Sequence, residues 1–198
     1  MASIVYSCGD NLYINLTNRC PCACVFCLRQ NSDGFGSAES LWLEGEPSLE
    51  DIIKALEGWN AAEFSQVVFC GYGEPTCALP LLLRVCGHLR SLPFCPPIRL
   101  NTNGLGDLIN GVQTAPLLAG LIDSVSVSLN APTAEEYAEL CRPEFGLNAL
   151  PAVLKFADDC KKYIPHVCFS VVGGTISGES FELCRGIAAR AGVDFRVR

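Results

Sequence analysis

The sequence predicts an α/β protein, a parallel sheet with helices packed outside it. Three observations carry that prediction. Six short β-like runs recur along the 198 residues, each closed by a polar or Gly-containing turn. Stretches with helical spacing lie between successive runs. The runs themselves are almost continuously apolar, as strands buried on both faces are. Right-handed βαβ crossovers then place the helices outside a parallel sheet. An open doubly wound sheet and a partial (β/α) barrel of six strands both satisfy this order. In either, chemistry collects at the C-terminal ends of the strands.

The β-like runs are LYINLT (12–17), QVVFCG (66–71), PIRLNTN (97–103), SVSVSLN (124–130), VCFSVV (167–172) and VDFRVR (193–198). A further run at 3–8 precedes GDN, which reads as a hairpin turn into the first of them. Residues 48–59 open with Ser48 followed by acidic residues, an N-cap and first helical turn. Residues 79–92 carry apolar side chains at helical spacing, and 114–122 do so more briefly. Thr133 and Glu136 make a capping box for 133–141. Helices over 149–163 and 177–192 complete the set, the last stopping at Gly192. No repeat, low-complexity tract or linker divides the chain, so residues 1–198 are expected to form one domain.

At 49% hydrophobic and 18% charged, the composition is that of a protein with a substantial core. A formal net charge of −7 argues against an extended phosphate-binding surface and against nucleic acid as a partner, while leaving room for a local basic patch. No secretory signal pattern and no apolar run of membrane-spanning length occurs, and the expected location is the cytoplasm. Thirteen cysteines is an odd and high number for such a chain, and it points to thiolate-bound metal rather than to a disulfide framework.

Four of the thirteen fall in the stretch TNRCPCACVFC, directly after the run 12–17: Cys20, Cys22, Cys24 and Cys27. Structural zinc takes four protein ligands, and no second Cys-x-x-Cys knuckle follows. An iron–sulfur cluster on three thiolates would leave one iron open to another ligand. Downstream, CGYGEP (70–75) leaves a bare turned backbone at Gly71, Tyr72 and Gly73 with the carboxylate of Glu74 projecting. LNTNG (100–104) ends its strand in a tight turn bearing Asn101 and Asn103. In SVSLNAP (126–132), alternation sets Ser126, Ser128 and Asn130 on one face, where polar groups are costly unless they bind something. GGTISGESFE (173–182) supplies Ile176 and a serine N-cap, Ser177 or Ser180.

Taken together, these stretches resemble the radical S-adenosylmethionine (radical SAM) enzymes, and LYINLTNRCPCACVFCLR resembles the N-terminal motif of the TatD-linked radical SAM proteins. The resemblance spans nearly the whole chain. It implies a partial (β/α)6 TIM-type barrel and a [4Fe–4S] cluster on Cys20, Cys24 and Cys27, with Cys22 a bystander. S-adenosylmethionine would bind the fourth iron through its amino and carboxylate groups. Phe26 and Ile176 would lie near the adenine, Gly71, Tyr72, Gly73 and Glu74 near the ammonium, Asn101 and Asn103 along the cofactor, and Ser128 and Asn130 at the ribose. The Gly-Gly-Glu element carries Tyr72 in place of its middle glycine. The Gly-x-Ile-x-Gly-x-x-Glu element ends in Phe181, with Glu182 one place late.

The implied reaction is reductive cleavage of S-adenosylmethionine to a 5′-deoxyadenosyl radical, which takes hydrogen from a small molecule, peptide or protein. The electron would come from a flavodoxin or ferredoxin. The other cysteines are scattered singly and read as core residues; among them Cys141 is expected nearest the site, and no second cluster is expected. Two further readings stay open: a non-catalytic iron–sulfur or zinc module, and an activase for a glycyl-radical partner.

Overall fold

The computed structural model describes residues 3–198. Seven strands form one sheet in strictly sequential order: β1 (Val5–Cys8), β2 (Asn11–Ile14), β3 (Gln66–Phe69), β4 (Ile98–Thr102), β5 (Ser124–Ser128), β6 (His166–Val171) and β7 (Asp194–Val197). The β1–β2 hairpin is antiparallel, and every pair from β2 to β7 is parallel. A doubly wound sheet reverses its strand order at a switch point. None occurs here, so all crossovers step in one direction and the helices share one side. That is a partial barrel with β1 and β7 as its two edges.

Among the described residues, the α-helices are α1 (Leu49–Leu56), α2 (Leu79–Ser91), α3 (Gly106–Asn110), α4 (Ala134–Cys141), α5 (Ala149–Cys160) and α6 (Gly178–Ala191). Their starts follow local chemistry. Ser48 and Asp51 cap α1 reciprocally, and Ser177 accepts from Ser180 N at the start of α6. Gly192 ends α6 with φ at +66°, which costs a glycine nothing.

Two expectations need correction. The apolar stretch 114–122 forms only a 3₁₀ turn, Ala115–Leu118, because Pro116 and the left-handed Gly120 leave no room to continue. The box at Thr133 is half formed: Thr133 accepts from Glu136 N, but the Glu136 carboxylate accepts from Ser180 Oγ at 2.8 Å and so ties α4 to α6.

The two sides of the sheet differ in kind. Leu12, Ile14, Val67, Phe69, Ile98, Leu100, Val125, Val127, Phe169 and Val171 are buried against the helices in one continuous core. The intervening residues Tyr13, Arg99, Asn101, Ser126, Ser128, Cys168 and Ser170 line the opposite, concave face, as the two-residue period requires. No helix among the described residues is long and apolar enough to cross a membrane.

Candidate functional site

The cysteine loop leaves the end of β2 and is clamped from two directions. On one side, residues 71–74 dock beneath it. A Cβ on Gly71 would meet Asn15 Oδ1 at 2.0 Å, and one on Gly73 would meet Thr17 O at 2.2 Å. These glycines are therefore demanded by close approach, not by a positive φ. Glu74 N donates to Arg19 O at 2.8 Å, which fixes the residue just before Cys20. On the other side, the end of α4 runs antiparallel to the loop. Ala23 N donates to Cys141 O and Val25 N to Leu140 O, Glu144 N donates to Pro21 O, and Cys22 bridges Pro143. Arg142, at φ +44°, turns the chain out of α4 to permit this pairing.

Within the clamp the sulfurs form a chain. Cys22 lies between Cys20 and Cys24 and is hydrogen-bonded to both, and the Cys141 thiol bonds Cys24 on its far side. Hydrogen bonds from Cys141 and then Cys22 hold Cys24 down to about 4, and Cys22 likewise lowers Cys20. Cys22 and Cys141, hydrogen-bonded to those neighbours and buried, are pushed up instead. Burial also raises Cys27, which stands outside the chain but within electrostatic reach of Cys24 and Cys20. Cys20, Cys24 and Cys27 are half-buried, whereas Cys22 is 5% exposed and belongs to the main core. Among the described residues, no group of three His, Cys, Asp or Glu side chains is compact enough for a single metal ion.

Gln30 Nε2 donates to Cys24 O and Arg29 Nη2 to Cys22 O, from a short 3₁₀ turn that follows Cys27. Asn103 Nδ2 reaches the sulfurs of Cys22 at 3.7 Å and Cys20 at 4.0 Å. Its own Oδ1 accepts from Leu105 N, a side-chain turn that holds the amide in place.

Glu74 is buried, 4% exposed, and caps a 3₁₀ turn at 75–78. Its Oε1 accepts from Thr76 N, Thr76 Oγ1 and Thr102 Oγ1, and its Oε2 from Asn103 N at 2.7 Å. Burial pushes the carboxyl above its ordinary range, against the pull of those donors. The Tyr72 side chain turns away into a satellite cluster with Tyr6, Ala38 and Leu41, edge-on to Trp42, and its hydroxyl donates to Ser32 O.

The concave face also holds unsatisfied acceptors. Asn15 Oδ1, Asn101 Oδ1 and Asn130 Oδ1 are buried without a hydrogen-bond partner. Asn130 sits at φ +57°, and its amide nitrogen approaches Cys141 Sγ at 3.5 Å. Ser128 Oγ accepts from Arg198 Nη2 at 3.0 Å. Phe26 and Ile176 are half-buried against the main core, and no hydrogen-bonding or ring contact ties either to the other site residues.

The fold thus gathers Cys20, Cys24, Cys27, Glu74, Asn103 and Asn130 around one loop. Sequence reasoning missed Tyr13, Asn15 and Arg99. Alternation within LYINLT and PIRLNTN already puts Tyr13 and Asn15 on one face of β2 and Arg99 on the Asn101 face of β4.

Comparison with known proteins bears on the family and the fold. A probable GTP 3′,8-cyclase of Thermococcus kodakarensis is 28% identical over 186 residues, covering 92% of this chain and 54% of that protein. A GTP 3′,8-cyclase of Mycobacterium sp. (strain KMS) is 30% identical over 140 residues, covering 68% of this chain and 36% of that one. The chain therefore spans between about a third and a half of these relatives' length. Among solved structures, Streptococcus suis SuiB bound to its precursor peptide SuiA superposes with a TM-score of 0.69 at 20% identity, covering 98% of this chain and 40% of SuiB. A radical SAM methyltransferase from Sphaerobacter thermophilus superposes at 0.63 and 16% identity, covering 98% of this chain and 57% of its own. Residues 14–183 match the description of the radical SAM superfamily. The chain belongs to that superfamily, enzymes whose cofactors are a [4Fe–4S] cluster and S-adenosylmethionine.

Proposed function

We propose that Cys20, Cys24 and Cys27 hold the cluster, and that the surrounding strand ends bind S-adenosylmethionine for hydrogen abstraction from a substrate in the lumen. The observation that carries this reading is the clamped loop. It offers three half-buried thiols at one mouth of the barrel, two of them drawn toward the thiolate form that ligates iron. Cys22 is set apart by burial and by its bridge to Pro143 and is not a ligand.

A [4Fe–4S] cluster held by Cys20, Cys24 and Cys27 would supply one-electron reducing chemistry for cleavage of bound S-adenosylmethionine. The chain's own groups bind and orient. Glu74 Oε2 accepts one hydrogen bond within the protein and keeps a lone pair for the cofactor's ammonium, a charge-assisted contact. Gly71, Tyr72 and Gly73 offer backbone beside it. Asn101 and Asn103 flank the cofactor. Ser128 and Asn130 take the ribose hydroxyls, and the orphaned Oδ1 of Asn130 would gain the donor it lacks. Phe26 and Ile176 cover the adenine. The Cys141 thiol donates to Cys24, and after cluster assembly that bond would tune the sulfur's electron density.

The chain acts as one core domain, residues 1–198, in the cytoplasm, and takes its electron from a flavodoxin or ferredoxin. The open edge between β1 and β7 admits a small molecule, a peptide or a protein segment. By their names, relatives act on GTP and a structural neighbour binds a peptide; with only part of each relative covered, neither substrate transfers with the fold.

Anaerobic reconstitution followed by dithionite and S-adenosylmethionine tests the reading. The expected result is about four irons per chain and release of 5′-deoxyadenosine. Iron uptake with no cleavage would favour the non-catalytic iron–sulfur module instead.

A further inference from the structure

The lumen carries positive charge that the cofactor chemistry leaves unused. Arg99 on β4 and Arg196 on β7 alternate with Ile98 and Leu100 and with Phe195 and Val197, so both project from the concave face. In the register of the sheet, Arg99 lies level with Ser124 and Arg196 with Ser170. Two strands, β5 and β6, separate them, yet each lies within the other's electrostatic reach, and the Tyr13 hydroxyl on β2 feels both. The curved sheet therefore brings them together across the lumen. Arg198, the next inward residue after Arg196, donates to Ser128 and completes a line of guanidinium groups.

Among the described residues, no carboxylate side chain pairs with this line. The sequence has 21 acidic residues, but among the described residues none forms an ion pair with Arg99, Arg196 or Arg198. Asp194, on the same face of β7, is exposed one step below and level with Cys168. Arg99 Nε and Arg196 Nε are buried with no hydrogen-bond partner. The Arg99 guanidinium also hydrogen-bonds Tyr13, which leaves the two Nε donors orphaned. A buried guanidinium donor without an acceptor is costly, and its natural complement is a planar or tetrahedral oxyanion held through charge-assisted bonds.

We propose that the substrate bears such an oxyanion, a phosphate or a carboxylate, and that Arg99 and Arg196 grip it on the floor of the lumen, with Tyr13 and Arg198 beside it. S-adenosylmethionine is a poor occupant of this floor. Its sulfonium and ammonium outnumber its single carboxylate, so it adds positive charge to a place already in excess. Arg99 also lies two residues, about 7 Å, deeper along β4 than Asn101. Anchored there, a substrate's anionic end sits at the floor and its C–H bonds face upward, toward the cysteine loop. This inference takes from the proposed function only that the lumen is the substrate chamber.

The test is calorimetric binding to the anaerobically reconstituted protein, using pyrophosphate, inorganic phosphate and succinate as probes at constant ionic strength in chloride. At least one probe should saturate. Preference for the phosphates assigns a phosphorylated substrate, and preference for succinate assigns a carboxylated one. Arg99→Met and Arg196→Met should each weaken that probe by about tenfold or more, since each removes charge-assisted bonds. Affinity for S-adenosylmethionine should be unchanged, as should probe binding in the surface control Arg185→Met. If a Met variant does not fold by circular dichroism, Arg99→Lys and Arg196→Lys replace it. They keep the charge but lose the fork, and should weaken the probe severalfold.

Absence of saturable binding would overturn the proposal, as would binding that survives both substitutions. A parallel loss of S-adenosylmethionine affinity would also overturn it, because the arginines would then serve the cofactor. Failure of cofactor cleavage in wild type, with oxyanion binding intact, would count against the proposed function alone.

Discussion

The two faces of the sheet are made from the same strands and answer different demands. Toward the helices, Leu12, Phe69, Leu100, Val127 and Phe169 are fully buried in hydrocarbon. Toward the lumen, the neighbours of those residues include Tyr13, Arg99, Asn101, Ser128 and Ser170, and among them Arg99 Nε and Asn101 Oδ1 are buried without a hydrogen-bond partner. The first face removes apolar surface from water and holds the fold together. The second is built to be completed by something that the polypeptide does not contain. Stability and ligand binding should therefore separate by face.

Substitutions on each face test that separation. Phe169→Ala on the helix side should cost the most, roughly 3–5 kcal/mol in urea unfolding, with iron per folded chain unchanged. A loss below about 1 kcal/mol would place the core elsewhere. Gly73→Ala sits at the junction of the two regions. Its Cβ would strike the Thr17 and Arg19 carbonyls, so a loss of about 1–3 kcal/mol should come with reduced iron uptake as the loop shifts. Cys22→Ala should cost only about 1 kcal/mol as a small core truncation, and iron content should not change. Asn101→Leu should show the smallest change in stability, within about 0.5 kcal/mol or slightly stabilising, because it removes an orphaned acceptor. It should nevertheless weaken S-adenosylmethionine binding in equilibrium dialysis; unchanged affinity would remove Asn101 from the site.

The frame was largely legible in the residues. The hairpin at GDN, the parallel runs and the caps at Ser48, Ser177 and Gly192 all lie where local chemistry puts them. Strict strand order was not legible, because doubly wound sheets and barrels share the same β/α alternation and differ only in where each crossover lands. The five-residue α3, containing Gly106, offers no helical period to detect. The segment from Leu28 to Pro47 has no period either. It is held by tertiary bonds, Asn15 Nδ2 to Leu41 O and Asn18 Nδ2 to Leu43 O, that only the fold creates.

At the site, spacing singled out the four clustered cysteines, and the family resemblance ranked them. The clamp by α4, which brings Cys141 against Cys24, depends on the left-handed turn at Arg142 and on backbone pairing with no side-chain signature. The lumen arginines were visible as an alternation in PIRLNTN and VDFRVR. Their lack of acidic partners was not, because an ion pair is a property of the folded chain.

We propose that three of the clustered thiols, and not Cys22, hold the cluster that serves S-adenosylmethionine cleavage. The most direct measurement compares Cys24→Ala with Cys22→Ala after anaerobic reconstitution, reading iron and sulfide content and 5′-deoxyadenosine release from the same samples. Cys24→Ala should lose both the bound cluster and the product, while Cys22→Ala should keep both. Product release by Cys24→Ala, or loss of iron from Cys22→Ala, would contradict it.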